Sequence, residues 1–303
     1  MNIVIPHKDR GDYLALTLDS IPQGHNVWII RGGTFAENIN KGFSLNPTDE
    51  GFTIFCNDDV ILSQQTLGEI GEAMLYADIC GVPQFIPSAN MNMAGQGYNE
   101  NKKGRYDFNV SPFKNTDIRT KVIIPSGALF AVRNRLFERL GGFDEAYKNG
   151  KEDIAFFLKA KEDGAIFALT QTSITHFCSK SSGRFDNVIK NDNIILKEFP
   201  EERVKAIINS KKNTVHICIT GDIGEQRVIT TNTYLNGTYF NITVSGGDYY
   251  TEFLNSEYII KVDASIIPDP NQVGRLVRDA IEHPFQDSWT ANYLGKITME
   301  RRK

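Results

Sequence analysis

Short runs of consecutive apolar residues alternate along the chain with stretches in which apolar residues recur every three or four positions. The first pattern suits a strand buried on both faces, and the second suits a helix with one buried stripe. Their alternation predicts an α/β protein. Residues 2–6 (NIVIP) read as a buried strand, and residues 12–20 as a helix with Leu14, Leu18 and Ile21 on one face. Residues 26–30 form a second strand, stopped by Gly32-Gly33, and residues 52–56 form a third. Asn57-Asp58-Asp59 follows directly at the carboxyl end of that third strand. Open α/β sheets bind ligands beyond the carboxyl ends of their strands, so this acidic cluster is a candidate site. Leu67, Ile70, Met74 and Leu75 mark the next helix.

Residues 88–120 are polar, rich in Asn, Gly and Lys, and without clear period, which predicts a long functional or disordered loop. Residues 121–132 are apolar again. Asn134 is expected to cap the short helix RLFERL, which Gly141-Gly142 ends. Ile154, Phe157 and Leu158 give the apolar stripe of a helix opening at Glu152-Asp153. The polar stretch 209–214 (NSKKNT) reads as a linker, dividing the chain into a domain over 1–209 and a smaller α/β domain over 214–303.

The second domain carries an internal echo of the first. Ile3-Val4-Ile5 matches Ile217-Cys218-Ile219, and Ile30-Arg31-Gly32-Gly33 matches Val244-Ser245-Gly246-Gly247, both at an offset of 214. TIFCNDDVILSQQTL then matches IIKVDASIIPDPNQV at an offset of 206, with Asn57 against Asp263 and Ser265 in the place of Asp59. Residues 214–285 thus read as a degenerate repeat of the first half of the first domain, in the order strand, helix, strand, short helix, strand, helix. Lacking the carboxylate of Asp59, this copy is expected to serve substrate binding or assembly rather than chemistry, with Tyr249, Tyr250 and Phe253 as an aromatic surface or as core.

Composition narrows the function classes. Hydrophobic residues are 41% and charged residues 23%, as in a soluble globular protein, and the net charge of −4 gives no global case for nucleic acid or an anionic membrane. Cys56, Cys80, Cys178 and Cys218 form no CxxC pair, and three of them sit in apolar runs. They read as reduced core thiols rather than zinc ligands, pointing to the cytoplasm. The opening MNIVIPHKDR is too short in its apolar part for a signal peptide, and no apolar stretch is long enough to span a bilayer.

VIPHKDRGDYLALTLDSI resembles the opening of family 2 glycosyltransferases, AENINKGF their AxNxG segment, and IFCNDDV their DxD strand end. SGALFAVRNRLFERLGGFDEAYKNGKEDIAFFLKAKEDG is similar to the run in which GGFDE precedes an ED dipeptide opening a helix, and THFCSKSSG to the His-containing segment that closes the site. These segments occur in order over about the first 185 residues. The resemblance implies a GT-A nucleotide-sugar-binding fold: a mixed, mainly parallel sheet flanked by helices. It also implies a nucleotide-diphosphate sugar as donor, a divalent metal (Mn²⁺ or Mg²⁺) and inversion at the transferred carbon.

The chemistry of the residues runs beside that resemblance. A nucleotide-diphosphate leaving group concentrates negative charge, which a hard cation with oxygen ligands neutralises. Asp59 is the expected metal ligand. Asn57 brings no charge and is assigned to the ribose or a water-mediated contact. His176 is a second metal or diphosphate ligand, and imidazole suits Mn²⁺ better than Mg²⁺. The acceptor hydroxyl needs a base. The family motif makes this Asp153, at a helix start where the positive dipole end steadies a carboxylate, with Glu152 orienting the acceptor. Gly127, Asp144 and Glu145 are expected to support the acceptor pocket, and Pro6, His7 and Asp58 to border the donor. The chain departs from the family after the second strand, where IIRGG replaces an acidic VVDDGS-type segment. Lys8, Arg10 or Arg31 is expected to contact the nucleotide instead, which leaves the donor base open.

A two-carboxylate hydrolase would leave a metal motif on a nucleotide fold idle. A non-catalytic glycan- or nucleotide-binding protein of the same fold is the alternative of a different class, opposed by the presence together of Asp59, Asp153 and His176. The acceptor stays open between a surface glycan, a protein and a hydroxylated base of phage DNA, as does the oligomeric state.

Overall fold

The computed structural model describes residues 1–8, 13–45, 51–75, 77–100, 106–112, 124–170, 172–178 and 186–210, together with five strands between residues 215 and 301. Arg10, Gly247, Tyr249, Tyr250, Phe253 and Ser265 lie outside the described residues, as do most of the predicted linker and the predicted C-terminal helices. In chain order the N-terminal elements are β1 (Asn2–Pro6), α1 (Tyr13–Ser20), β2 (Asn26–Ile30), α2 (Phe35–Ser44), β3 (Phe52–Cys56), β4 (Val60–Ile61), α3 (Gln64–Ala73), β5 (Ile79–Gly81) and β6 (Gln84–Ile86). There follow β7 (Met91–Glu100), β8 (Tyr106–Pro112), β9 (Leu129–Arg133), α4 (Asn134–Arg139), α5 (Glu152–Asp163), β10 (Phe167–Leu169), β11 (Ile174–His176), α6 (Val188–Glu198) and α7 (Glu201–Ile208). The C-terminal strands are β12 (Val215–Thr220), β13 (Ile242–Gly246), β14 (Tyr258–Asp263), β15 (Ser288–Asn292) and β16 (Lys296–Arg301).

The main sheet has the order β10-β5-β9-β3-β1-β2 and is parallel except for β9, which runs against β3 and β5. This is the mixed, mainly parallel sheet flanked by helices expected from the sequence. Its inner strands β1, β3, β5 and β9 are mostly apolar because both faces are covered, whereas in the edge strand β2 Trp28 and Ile29 are exposed. Ile3, Ile5, Ile54 and Cys56 enter a core shared with Leu67 and Ile70 of α3. The alternate residues Val4 and Phe55 enter a second core with α2, α4, α5 and α7. That second core is aromatic: Phe55, Phe130, Phe137, Phe143, Phe156 and Phe157 are all fully or almost fully buried.

The AENINKGF segment explains how α2 is seated. Thr34 and Glu37 form a capping box, and Asn38 accepts from Gly33 N–H at 3.1 Å, holding the turn after β2. A Cβ on Gly42 would lie 2.2 Å from Val4 Cγ1, so glycine is what lets the helix approach β1.

Three expectations are corrected. Leu75 is 67% exposed, because α3 stops at Ala73 and turns the chain outwards. Asn134 does not cap α4. It is fully buried, and its Oδ1 accepts from the Thr53 hydroxyl of β3 at 2.8 Å. Much of 88–120 is not loop: β7 and β8 pair antiparallel as a hairpin in a second sheet of order β4-β11-β6-β7-β8.

A separate C-terminal sheet has the order β13-β12-β14-β16-β15, with β12 parallel to β13 and β14, and β16 antiparallel to β14. The run β13-β12-β14-β16 thus has the order and sense of β2-β1-β3-β9. Ile3 faces Ile54 and Ile217 faces Ile260, which are the partners the two sequence offsets give. Likewise Phe52 faces Arg133, and Tyr258 faces Arg301. The second strand differs. Ile3 faces Val27 whereas Ile217 faces Val244, so β13 is set three residues along from where the glycine-pair match puts it. Among the described residues no helix is long and apolar enough to cross a membrane.

Candidate functional site

β3 carries Asn57, Asp58 and Asp59 to the carboxyl edge of the main sheet, where neighbouring elements fix each of them. Asn57 N–H donates to Ala128 O at 2.8 Å, tying the turn to the start of β9. From α1, Thr17 Oγ1 accepts from Val60 N–H at 3.1 Å and Ser20 Oγ from Leu62 N–H at 3.2 Å. These bonds hold β4, and β4 pairs with β11 so that His176 lies opposite Val60. Phe177 N–H closes the junction by donating to Asp59 O at 3.0 Å.

His176 Nε2 therefore stands 3.2 Å from Asp59 Oδ1, with the two residues 7% and 4% exposed. Burial alone would push the imidazole pKa down. The hydrogen bond to Asp59, with a smaller contribution from Cys178, outweighs it and carries the pKa to about 9. Asn57 Nδ2 is 3.5 Å from the same Nε2, and Asn57 Oδ1 is buried with no hydrogen-bond partner among the described residues. An orphaned acceptor beside an acid and an imidazole is suited to a cation or a donor that arrives with substrate. On the far side of the ring, Nδ1 donates to Gln84 Oε1 at 2.7 Å.

The turn before β9 gathers the remaining groups. Ser126 Oγ lies 3.0 Å from Gln84 Nε2. A Cβ on Gly127 would lie 2.5 Å from Asp153 Oδ2, so the glycine lets the start of α5 close against this turn. Ala128 is the residue bonded to Asn57. Three consecutive residues thus connect the Asp59–His176 pair to Asp153.

The other predicted residues occupy distinct positions. Pro6 ends β1, and the next residue, His7, is buried with its Nδ1 2.7 Å from Asp58 Oδ2. Lys8 and Arg31 are exposed just beyond β1 and β2. Glu152 is 5% exposed and accepts from Gly150 N–H at 2.5 Å, closing the turn in which Asn149 and Lys151 take left-handed backbone conformations. Asp144 accepts from Ala146 N–H at 2.9 Å, and Glu145 accepts from Asn40 Nδ2 at 2.9 Å. These bonds fold the GGFDE turn onto α2 while Phe143 enters the core.

Gln84 and Ser126 carry no role assigned from the sequence, and Cys178 reads there only as a thiol. Gln84 is the lone polar residue in VPQFIP, which is a signal, since a buried amide needs partners. Cys178 has a left-handed backbone (φ 49°), and its Sγ lies 3.4 Å from His176 Nδ1.

Among the described residues no three His, Cys, Asp or Glu side chains converge as a metal-ion site. Asp59 and His176 could offer two ligand atoms, and Asn57 a neutral oxygen. That set fits a cation that keeps most of its coordination for substrate phosphates, as Mg²⁺-type sites do.

No protein-family model matches the chain, and no curated protein matches it. Among solved structures it is similar to GalNAc-T7 crystallised with UDP, GalNAc and Mn²⁺, at a TM-score of 0.49 and 12% identity over 70% of this chain and 50% of that chain. It is also similar to the catalytic domain of Drosophila beta1,4galactosyltransferase 7 in complex with xylobiose, at a TM-score of 0.37 and 14% identity over 61% of this chain and 77% of that one. The chain spans about half the length of the first of these.

Proposed function

We propose that this chain is a GT-A-type, inverting glycosyltransferase that moves a sugar from a nucleotide-diphosphate sugar to an acceptor hydroxyl. The observation that carries the reading is the gathering of Asp59, His176 and Asp153 around the 126–128 turn, at the sheet edge where α/β proteins bind ligands. The order of the family-like segments along the sequence supports it.

Asp59 and His176 Nε2 would hold the divalent cation, with Asn57 Oδ1 facing it or the ribose. When bound, such a cation supplies charge neutralisation for the departing diphosphate. His7, held by Asp58, borders the donor together with Lys8 and Arg31. Asp153 takes the proton from the acceptor hydroxyl as that oxygen attacks the anomeric carbon. The bond to the diphosphate oxygen breaks in the same displacement, its electron pair leaves with the nucleotide, and the configuration inverts. Glu152, turned towards Gly150, acts on this step by holding the turn that presents Asp153.

The test is the anomeric configuration of the product, read by proton NMR with an α-linked donor. A β-linked product is expected. An α-linked product would overturn the single-displacement mechanism.

A further inference from the structure

We infer that Gln84 is a positioning residue that fixes the tautomer and the aim of His176, an inference that builds on the reading of Asp59 and His176 as cation ligands. Gln84 opens β6 and is 3% exposed. Its amide is constrained at both ends. Nε2 lies 3.0 Å from Met93 Sδ, which can only accept, and 3.0 Å from Ser126 Oγ. The serine oxygen also accepts from Ala128 N–H at 3.3 Å. The NH₂ end of the amide therefore faces Met93 and Ser126, and Oε1 faces His176 Nδ1 at 2.7 Å.

A carbonyl oxygen can only accept, so Nδ1 is the nitrogen that carries the hydrogen. Nε2 faces Asp59, where it carries a proton in the cation-free ring and would offer its lone pair to a cation that displaces that proton. A ligating histidine whose second nitrogen is held in this way is preset in tautomer and ring orientation. The relay begins at the backbone of Ala128, the residue whose carbonyl also anchors Asn57. Two of the site's polar groups are thus registered from one residue of the turn before β9.

The test uses the full chain carrying Gln84→Met, which keeps the length and removes the acceptor, and Gln84→Glu, which keeps an acceptor. In cation-free protein near neutral pH, the His176 Nδ1–H proton is followed by ¹H–¹⁵N NMR and assigned with His176→Gln. A slowly exchanging, downfield signal is expected in the wild type and in Gln84→Glu, and its loss to water exchange in Gln84→Met. Mn²⁺ binding, read from the EPR signal of the free ion, should weaken ~10- to 100-fold in Gln84→Met and recover in Gln84→Glu.

An unchanged Nδ1–H signal in Gln84→Met, or a wild-type ring protonated at Nε2 alone, would overturn the inference. If Gln84→Met does not fold, Ser126→Ala takes its place: faster exchange of the Nδ1–H supports the relay, and unchanged exchange contradicts it. If the NMR result holds but the wild type binds no Mn²⁺, the positioning role stands and the cation reading fails.

Discussion

Asp59→Asn is expected to lower the turnover of nucleotide sugar by at least ~100-fold, the scale of removing one preorganised electrostatic contact to a transition state. Asn keeps the volume of the side chain and removes only its charge. That matters because Asp59 is 4% exposed and its carboxylate faces His176 at 3.2 Å. Both substitutions take away the anionic partner of His176, and alanine also removes its hydrogen-bond acceptor and leaves a void, at a further cost of about 1–3 kcal/mol in stability. A thermal melt alongside the initial rate separates the two effects. A folded Asp59→Asn protein with wild-type turnover would remove Asp59 from the chemistry.

Asp153→Asn is expected to cut turnover by ~10² to 10⁴ while donor binding survives, because the amide keeps the shape and loses the basicity. The contrast with Glu152 sharpens the test. Glu152 is buried and bonded to Gly150 N–H, so Glu152→Gln should act mainly on stability. Asp153 instead borders Gly127 and, through Ala128, the Asn57 end of the site. Rates at saturating donor and acceptor, with donor affinity measured separately by calorimetry, distinguish a base from a binding group. If Asp153→Asn turns over normally and Glu152→Gln does not, the assignments exchange.

Where burial on both sheet faces enforces an apolar run, the chain announced its structure. β1 and β3 have the bounds read from the sequence, and the stripe of Ile154, Phe157 and Leu158 is buried; the edge strand β2 also has the bounds read, although Trp28 and Ile29 are exposed. Where the buried face is built of glycine and methionine, it did not. In β7, Met93, Gly95 and Gly97 are buried, but glycines carry no hydrophobic signal, so the hairpin read as loop. The alternation of Tyr106, Phe108 and Val110 in β8 was the available clue.

Asn134 followed local capping logic. Its partner, Thr53, is 81 positions away, and a bond to a neighbouring strand displaced the local one. The candidate site divides along the same line. Asp59, His176 and Asp153 stand where strand ends and a helix start put them, which sequence position could indicate. Gln84 bonds to Ser126 and to His176, connections that exist only once β6, β11 and the turn before β9 are brought together.

The most direct test of the account is the release of nucleotide diphosphate by the full chain from a panel of nucleotide sugars, first with Mn²⁺ and then with excess chelator. The account predicts turnover of at least one donor, lost on chelation and restored by added Mn²⁺. A folded protein that turns over none of the donors, or one that keeps full activity in chelator, would contradict it.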